Sequence, residues 1–140
     1  MTDGRPIVVG YDGRAGSHAA LEEAVRLADE LGASPLVVVF SFEVSRLGGE
    51  VADLQAAVEE RGRAVLEEAV ARAGDRVAVE TELLGEAPAD GLVSVAEARG
   101  AQMIVVGSTG EGPLRGILVG STAYKLLHLS ATPVLVVRSG

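Results

Sequence analysis

No cysteine occurs in the 140 residues, which excludes a disulfide framework and any thiolate-based metal or redox site. Aromatic residues are nearly as scarce, with two Phe, two Tyr and no Trp. The core therefore has to be assembled from Val, Leu, Ile and Ala, the mixture that suits β-branched strands packed under Ala/Leu helices. Lysine is represented by Lys125 alone, and no run of basic residues exists within a formal charge of −8. That balance argues against a nucleic-acid partner, because phosphate neutralisation needs a basic patch. Nor is there an apolar stretch of about 18 residues that could span a bilayer, so no membrane partner is expected. The first residues, Met1 to Arg5, lead directly into a strand-like run without the features of a signal peptide, and a cytoplasmic location is the expectation.

What is present alternates. Pro6 to Tyr11 is a short apolar run closed by Asp12-Gly13, which predicts a buried strand ending in a turn. From Ser17 the period becomes helical, with Leu21, Ala24, Val25, Ala28 and Leu31 on one face, Ser17 as N-cap and Gly32 as the stop. Leu36 to Phe42 is a second buried strand, and a helix follows from about Val51 to Ala73. Val77 to Leu83 alternates apolar with polar residues, as an edge strand does. Pro88 opens a third helix that ends at Arg99-Gly100. Met103 to Val106 is a fourth strand, Gly120-Ser121-Thr122 opens a short helix ending near Leu129, and Pro133 to Val137 is a fifth strand. Five strands separated by crossovers too long for hairpins predict one α/β domain over residues 1–140, a doubly wound five-stranded parallel sheet with helices on both faces.

The segment from Gly107 to Thr122 is the most informative. It is rich in glycine and joins a buried strand to a helix. Gly107 and Gly110 permit a sharp turn and a close approach by a ligand. Gly120-Ser121-Thr122 opens a helix whose free N–H groups and dipole favour an anion. No Gly-Lys-Ser/Thr is present, and the dinucleotide spacing G-x-G-x-x-G is missing. Asp12, at the end of the first strand, lies at the same carboxyl edge. With strand order 3-2-1-4-5 it faces the glycine loop across the crevice where strand order reverses, the usual ligand position in open parallel sheets. A carboxylate there suits ribose hydroxyls; alternatively Asp12 only makes a turn with Gly13.

These residues together, Val8-Val9-Gly10-Tyr11-Asp12-Gly13 with Ser17 and Ala20-Leu21, Gly107-x2-Gly110-x9-Gly120-Ser121, and Pro133 to Val137, resemble the universal stress protein family along essentially the whole chain. The resemblance is to its ATP-binding branch. It implies an adenine nucleotide, ATP or AMP/ADP, with Mg²⁺ or Mn²⁺ as companion to a triphosphate. It also implies phosphate contacts from Gly107, Gly110, Gly120, Ser121 and Thr122, ribose near Asp12 and Gly107 within the Tyr11-Asp12-Gly13 turn, and adenine near Ser41. Two positions depart from the family pattern: Arg14 stands where serine is common and Phe40 where histidine is common. Arg14 either changes the loop or reaches a phosphate; Phe40 either packs a base or fills the core. Arg115 is either a γ-phosphate clamp or an exposed loop arginine.

The expected function is regulatory nucleotide binding in stress response. The alternatives are a dimeric protein-interaction module without nucleotide and a slow ATP hydrolase. No base is paired with a nucleophile, so His18 is expected to face solvent on the first helix and His128 to complement the dipole at the end of the last. Glu59-Glu60 and Glu67-Glu68, with Arg61 and Arg63, read as a solvated face. Glu80 and Glu82 guard the third strand, whereas Val134 to Val137 carries no charge; an unguarded edge invites pairing, which predicts a homodimer through the fifth strand.

Overall fold

The computed structural model describes residues 4–43, 51–108 and 120–138. Strands and helices alternate as β1 (Ile7–Gly10), α1 (Ala15–Leu31), β2 (Leu36–Ser41), α2 (Val51–Ala73), β3 (Val79–Leu84), α3 (Pro88–Arg99), β4 (Met103–Gly107), α4 (Ser121–Leu129) and β5 (Val134–Val137). The strands form one sheet in the order β3-β2-β1-β4-β5, and every pairing is parallel. Central β1 is in register with both neighbours, Val8 lying opposite Val37 and Ile104. The doubly wound sheet expected from the alternation is the observed one.

Side chains on successive strand residues point to opposite faces, and the chain fills both faces with aliphatics. Ile7, Val9, Leu36, Val38 and Val105 pack with Leu21, Ala24 and Ala28 of α1 and with Leu66 and Ala69 of α2. Val8, Val37, Val39, Ile104 and Val106 pack with Leu92 and Val95 of α3 and with Ala123 and Leu126 of α4. Each fully buried Val or Leu contributes about 1.5–3 kcal/mol, and two such layers replace the missing aromatic core. Gly32 and Gly100 end α1 and α3 in the left-handed conformation, at φ 67° and 62°, which a residue without Cβ adopts at little cost.

The helix starts differ from expectation at one place. α1 begins at Ala15, with Arg14 at the N-cap making no side-chain capping bond, so Ser17 is not the N-cap but lies in the first turn. The amide of Ser17 instead donates to the Arg14 carbonyl. The expected strands are shifted slightly as well: β2 stops at Ser41, and β3 runs from Val79 to Leu84. Glu80 and Glu82 of this edge strand form ion pairs with Arg99 at the end of α3, at 2.7 and 2.8 Å.

At the carboxyl end of β4 the sheet and α1 meet backbone to backbone. A Cβ placed on Gly107 would lie 2.6 Å from the Gly16 carbonyl oxygen, a clash that only movement of α1 or β4 relieves. The glycine that the sequence credits with a sharp turn and a close ligand approach is also where the first turn of α1 packs against β4. Gly107→Ala is therefore expected to lower stability by about 1–3 kcal/mol, measured by urea unfolding. An unchanged midpoint would show that the two backbones are not packed this closely.

Candidate functional site

Where β1 is flanked by β2 and β4, the connections leave for opposite faces and open a crevice of about 490 Å³, within the range that holds small molecules. Its described walls are the ends of β1 (Gly10, Tyr11, Asp12), β2 (Val39, Phe40, Ser41) and β4 (Val106, Gly107), with Ser17, Pro88 and the opening of α4 from Gly120 to Ala123. α2 contributes Val58 and Arg61. Of the residues singled out from sequence, Tyr11, Asp12, Ser41, Gly107, Gly120, Ser121 and Thr122 are thus brought together. Gly110 and Arg115 lie outside the described residues. Gly13 belongs to the turn rather than to the lining: its φ is +83°, and a Cβ there would rest 3.6 Å from Val65 of α2.

At the α4 end the lining is main chain. The Gly120 amide is already used, donating to the Ser108 carbonyl, and the Gly120 carbonyl accepts from Tyr124. The amides left without an intrahelical acceptor are those of Ser121, Thr122 and Ala123, in the first turn, where helix geometry supplies none. With the positive end of the dipole they favour an anion.

Across the crevice Asp12 is exposed yet firmly placed. Its Oδ1 accepts from the Arg14 amide and from the Ser17 hydroxyl, both at 2.9 Å, and its own amide donates to Ser17 Oγ at 3.2 Å. Among the described lining residues Asp12 is the one carboxylate, against the guanidinium groups of Arg14 and Arg61. Ser41 is committed elsewhere, its hydroxyl donating to the Glu86 carbonyl at 2.6 Å and tying β2 to the loop before α3. Phe40 packs against the core on one side and lines the crevice on the other.

Tyr11 anchors the crevice from below. Its side chain is buried, and its hydroxyl donates to Glu68 Oε1 of α2 at 2.6 Å. Arg72 holds the same carboxylate oxygen at 3.3 Å. His18 does not face solvent as expected: its ring stacks on Tyr11 with centroids 5.7 Å apart, and Nε2 lies 3.4 Å from Glu68. The hydrogen bond from Tyr11, aided by Arg72, holds the Glu68 carboxyl below its ordinary range. Burial, then the bond to Glu68, pushes the Tyr11 phenol well above the usual tyrosine range.

The sequence reading missed Ser17 and Arg61 as parts of this site, and Glu68 as its support. On α2, Val58, Arg61, Val65, Glu68 and Arg72 recur at alternating steps of three and four, one helix face, beside the buried stripe of Leu66, Ala69 and Ala73. That spacing was the available signal.

Comparison with known proteins places the chain in a family. A family model described as the universal stress protein family matches residues 4–138. Universal stress protein YxiE of Bacillus subtilis is 33% identical over 144 residues, covering 94% of this chain and 97% of its own length. A solved universal stress protein in complex with cAMP is similar with a TM-score of 0.75 and 30% identity, over 97% of this chain and 98% of that one. The universal stress protein from Archaeoglobus fulgidus in complex with dAMP is similar with a TM-score of 0.68 and 27% identity, over 95% and 97%. The chain belongs to the universal stress protein family.

Because the folded state favours the neutral Tyr11 phenol, the stability it contributes is whole below pH ~10, the ordinary tyrosine value, and is lost as pH rises beyond it. Tyr11→Phe is expected to cost about 1 kcal/mol at neutral pH and to flatten the alkaline decline in urea-unfolding free energy. An unaltered alkaline slope in the variant would contradict the Tyr11–Glu68 bond.

Proposed function

We propose that this member of the universal stress protein family binds an adenine nucleotide in the crevice at the carboxyl edge of its sheet, as a regulatory domain of the stress response. The phosphates lie on the amides of Ser121, Thr122 and Ala123, the ribose at Asp12, and the base toward Val39, Phe40 and Ser41. The observation that carries this reading is the meeting, in one crevice of about 490 Å³, of the N-terminus of α4 with a fixed carboxylate on the opposite wall. Support also comes from the neighbours whose structures hold cAMP and dAMP. ATP is the proposed ligand, with AMP and ADP as rivals for the same groups. Mg²⁺ or Mn²⁺ arrives with a triphosphate: among the described residues no group of three His, Asp or Glu side chains is placed to hold an ion by itself, and phosphate oxygens supply the hard ligands such ions take. Binding rather than dedicated turnover is the role proposed.

Ser121→Asp separates this proposal from a purely structural role for the α4 opening. A carboxylate there stabilises the helix by about 0.3–1 kcal/mol through the dipole and repels phosphate. Calorimetric titration with ATP, ADP and AMP is expected to show binding to the native protein and at least about a tenfold loss in the variant, with thermal stability kept or raised. No nucleotide bound by the native protein, and none released on denaturation, would leave a protein-interaction module as the reading.

The second proposed partner is another copy of this chain. β5 pairs only with β4, its four residues carry no charge, and α4, which packs beside it, exposes Tyr124, Leu127 and Leu129. An open apolar edge of this kind invites two-fold pairing. Sedimentation equilibrium at micromolar concentration is expected to give twice the chain mass of 14.3 kDa; the single mass would overturn it.

A further inference from the structure

Ser17 is buried, at 8% exposure, and its side chain lies against the carboxylate of the crevice. Its Oγ is within 2.9 Å of two acceptors, Asp12 Oδ1 and the Arg14 carbonyl. A hydroxyl has one proton to give, and the ionised carboxylate is the stronger acceptor. The same Oγ accepts the Asp12 amide at 3.2 Å. Ser17 and the Asp12 backbone thus close a ring through the Asp12 side chain, and the Arg14 amide adds a second donor to Oδ1.

The consequence concerns what Asp12 has left to offer. Two donors occupy Oδ1, while Oδ2 has no hydrogen-bond partner among the described residues. A free carboxylate can span a vicinal diol, one hydroxyl on each oxygen; a carboxylate with one oxygen committed presents one acceptor. We propose that Ser17 is a positioning residue that fixes Asp12 so that the crevice reads a single ribose hydroxyl. The ligand class is then any adenine nucleotide that keeps that hydroxyl, whatever stands at the neighbouring carbon. This inference rests on the nucleotide reading and narrows it.

The test is calorimetric titration of the native protein with AMP, 2′-deoxy-AMP, 3′-deoxy-AMP and 2′,3′-dideoxy-AMP. One monodeoxy nucleotide is expected to bind within about threefold of AMP. The other should bind about tenfold more weakly, as should the dideoxy form, the loss of one bond to a charged acceptor. In Ser17→Ala, Asp12 loses its restraint and the discrimination is expected to shrink below about threefold, with affinity for the dideoxy form unchanged; a merely structural serine would weaken all four alike. Ser17→Thr, which keeps the hydroxyl, is expected to retain the native pattern. Comparable losses for both monodeoxy forms, or no loss for either, would overturn the inference while leaving nucleotide binding intact. Failure of all four to bind would remove both. The native series decides the single-hydroxyl claim even if the alanine variant does not fold.

Discussion

Parallel pairing of β1 on both sides is the constraint from which the site follows. Its two sheet neighbours, β2 and β4, lead into helices on opposite faces, so the carboxyl end of β1 lies where the connections diverge. Two apolar layers hold that arrangement, with Ile7, Val8 and Val9 wholly inaccessible to solvent. The rise from one face to the other is fixed by the period of the strand, and Tyr11 and Asp12 come out at the rim because β1 stops at Gly10.

The rim is then specified by contacts between helices and strand ends rather than by any one loop. Gly107 is pressed against Gly16, which brings α1's first turn beside the end of β4. Ser17, one residue further on, is carried to Asp12. On the same face Tyr11 reaches through to Glu68, which sets α2 at the depth where Val58 and Arg61 enter the wall. Close packing of the backbone and placement of polar groups are thus one event, and a change at Gly107 acts on both.

Much of this was legible in the sequence. Strand order, the edge position of β3 and the facing of Asp12 with the α4 opening follow from alternation, crossover length and the rule for parallel sheets. Four residues were not legible, for three separate reasons. Ser17 has the chemistry of an N-cap, and only the helix start two residues earlier turns its hydroxyl toward Asp12. Arg61 and Glu68 look solvated because α2 is polar on most of its surface, and the period of a helix does not say which flank of its apolar stripe borders a crevice. Gly107 satisfies two demands, a turn after a strand and an approach by another backbone, and composition does not separate them.

The described crevice brings the first-turn amides of α4 opposite the Asp12 carboxylate, whose Oδ1 is held within the fold. The most direct measurement is a residue-resolved amide chemical-shift titration of the labelled protein with AMP. The account predicts saturable shifts concentrated at Ser121, Thr122 and Ala123 and at the Asp12–Arg14 turn, with the far ends of the strands silent. Shifts absent, or centred on residues remote from the carboxyl edge of the sheet, would contradict it.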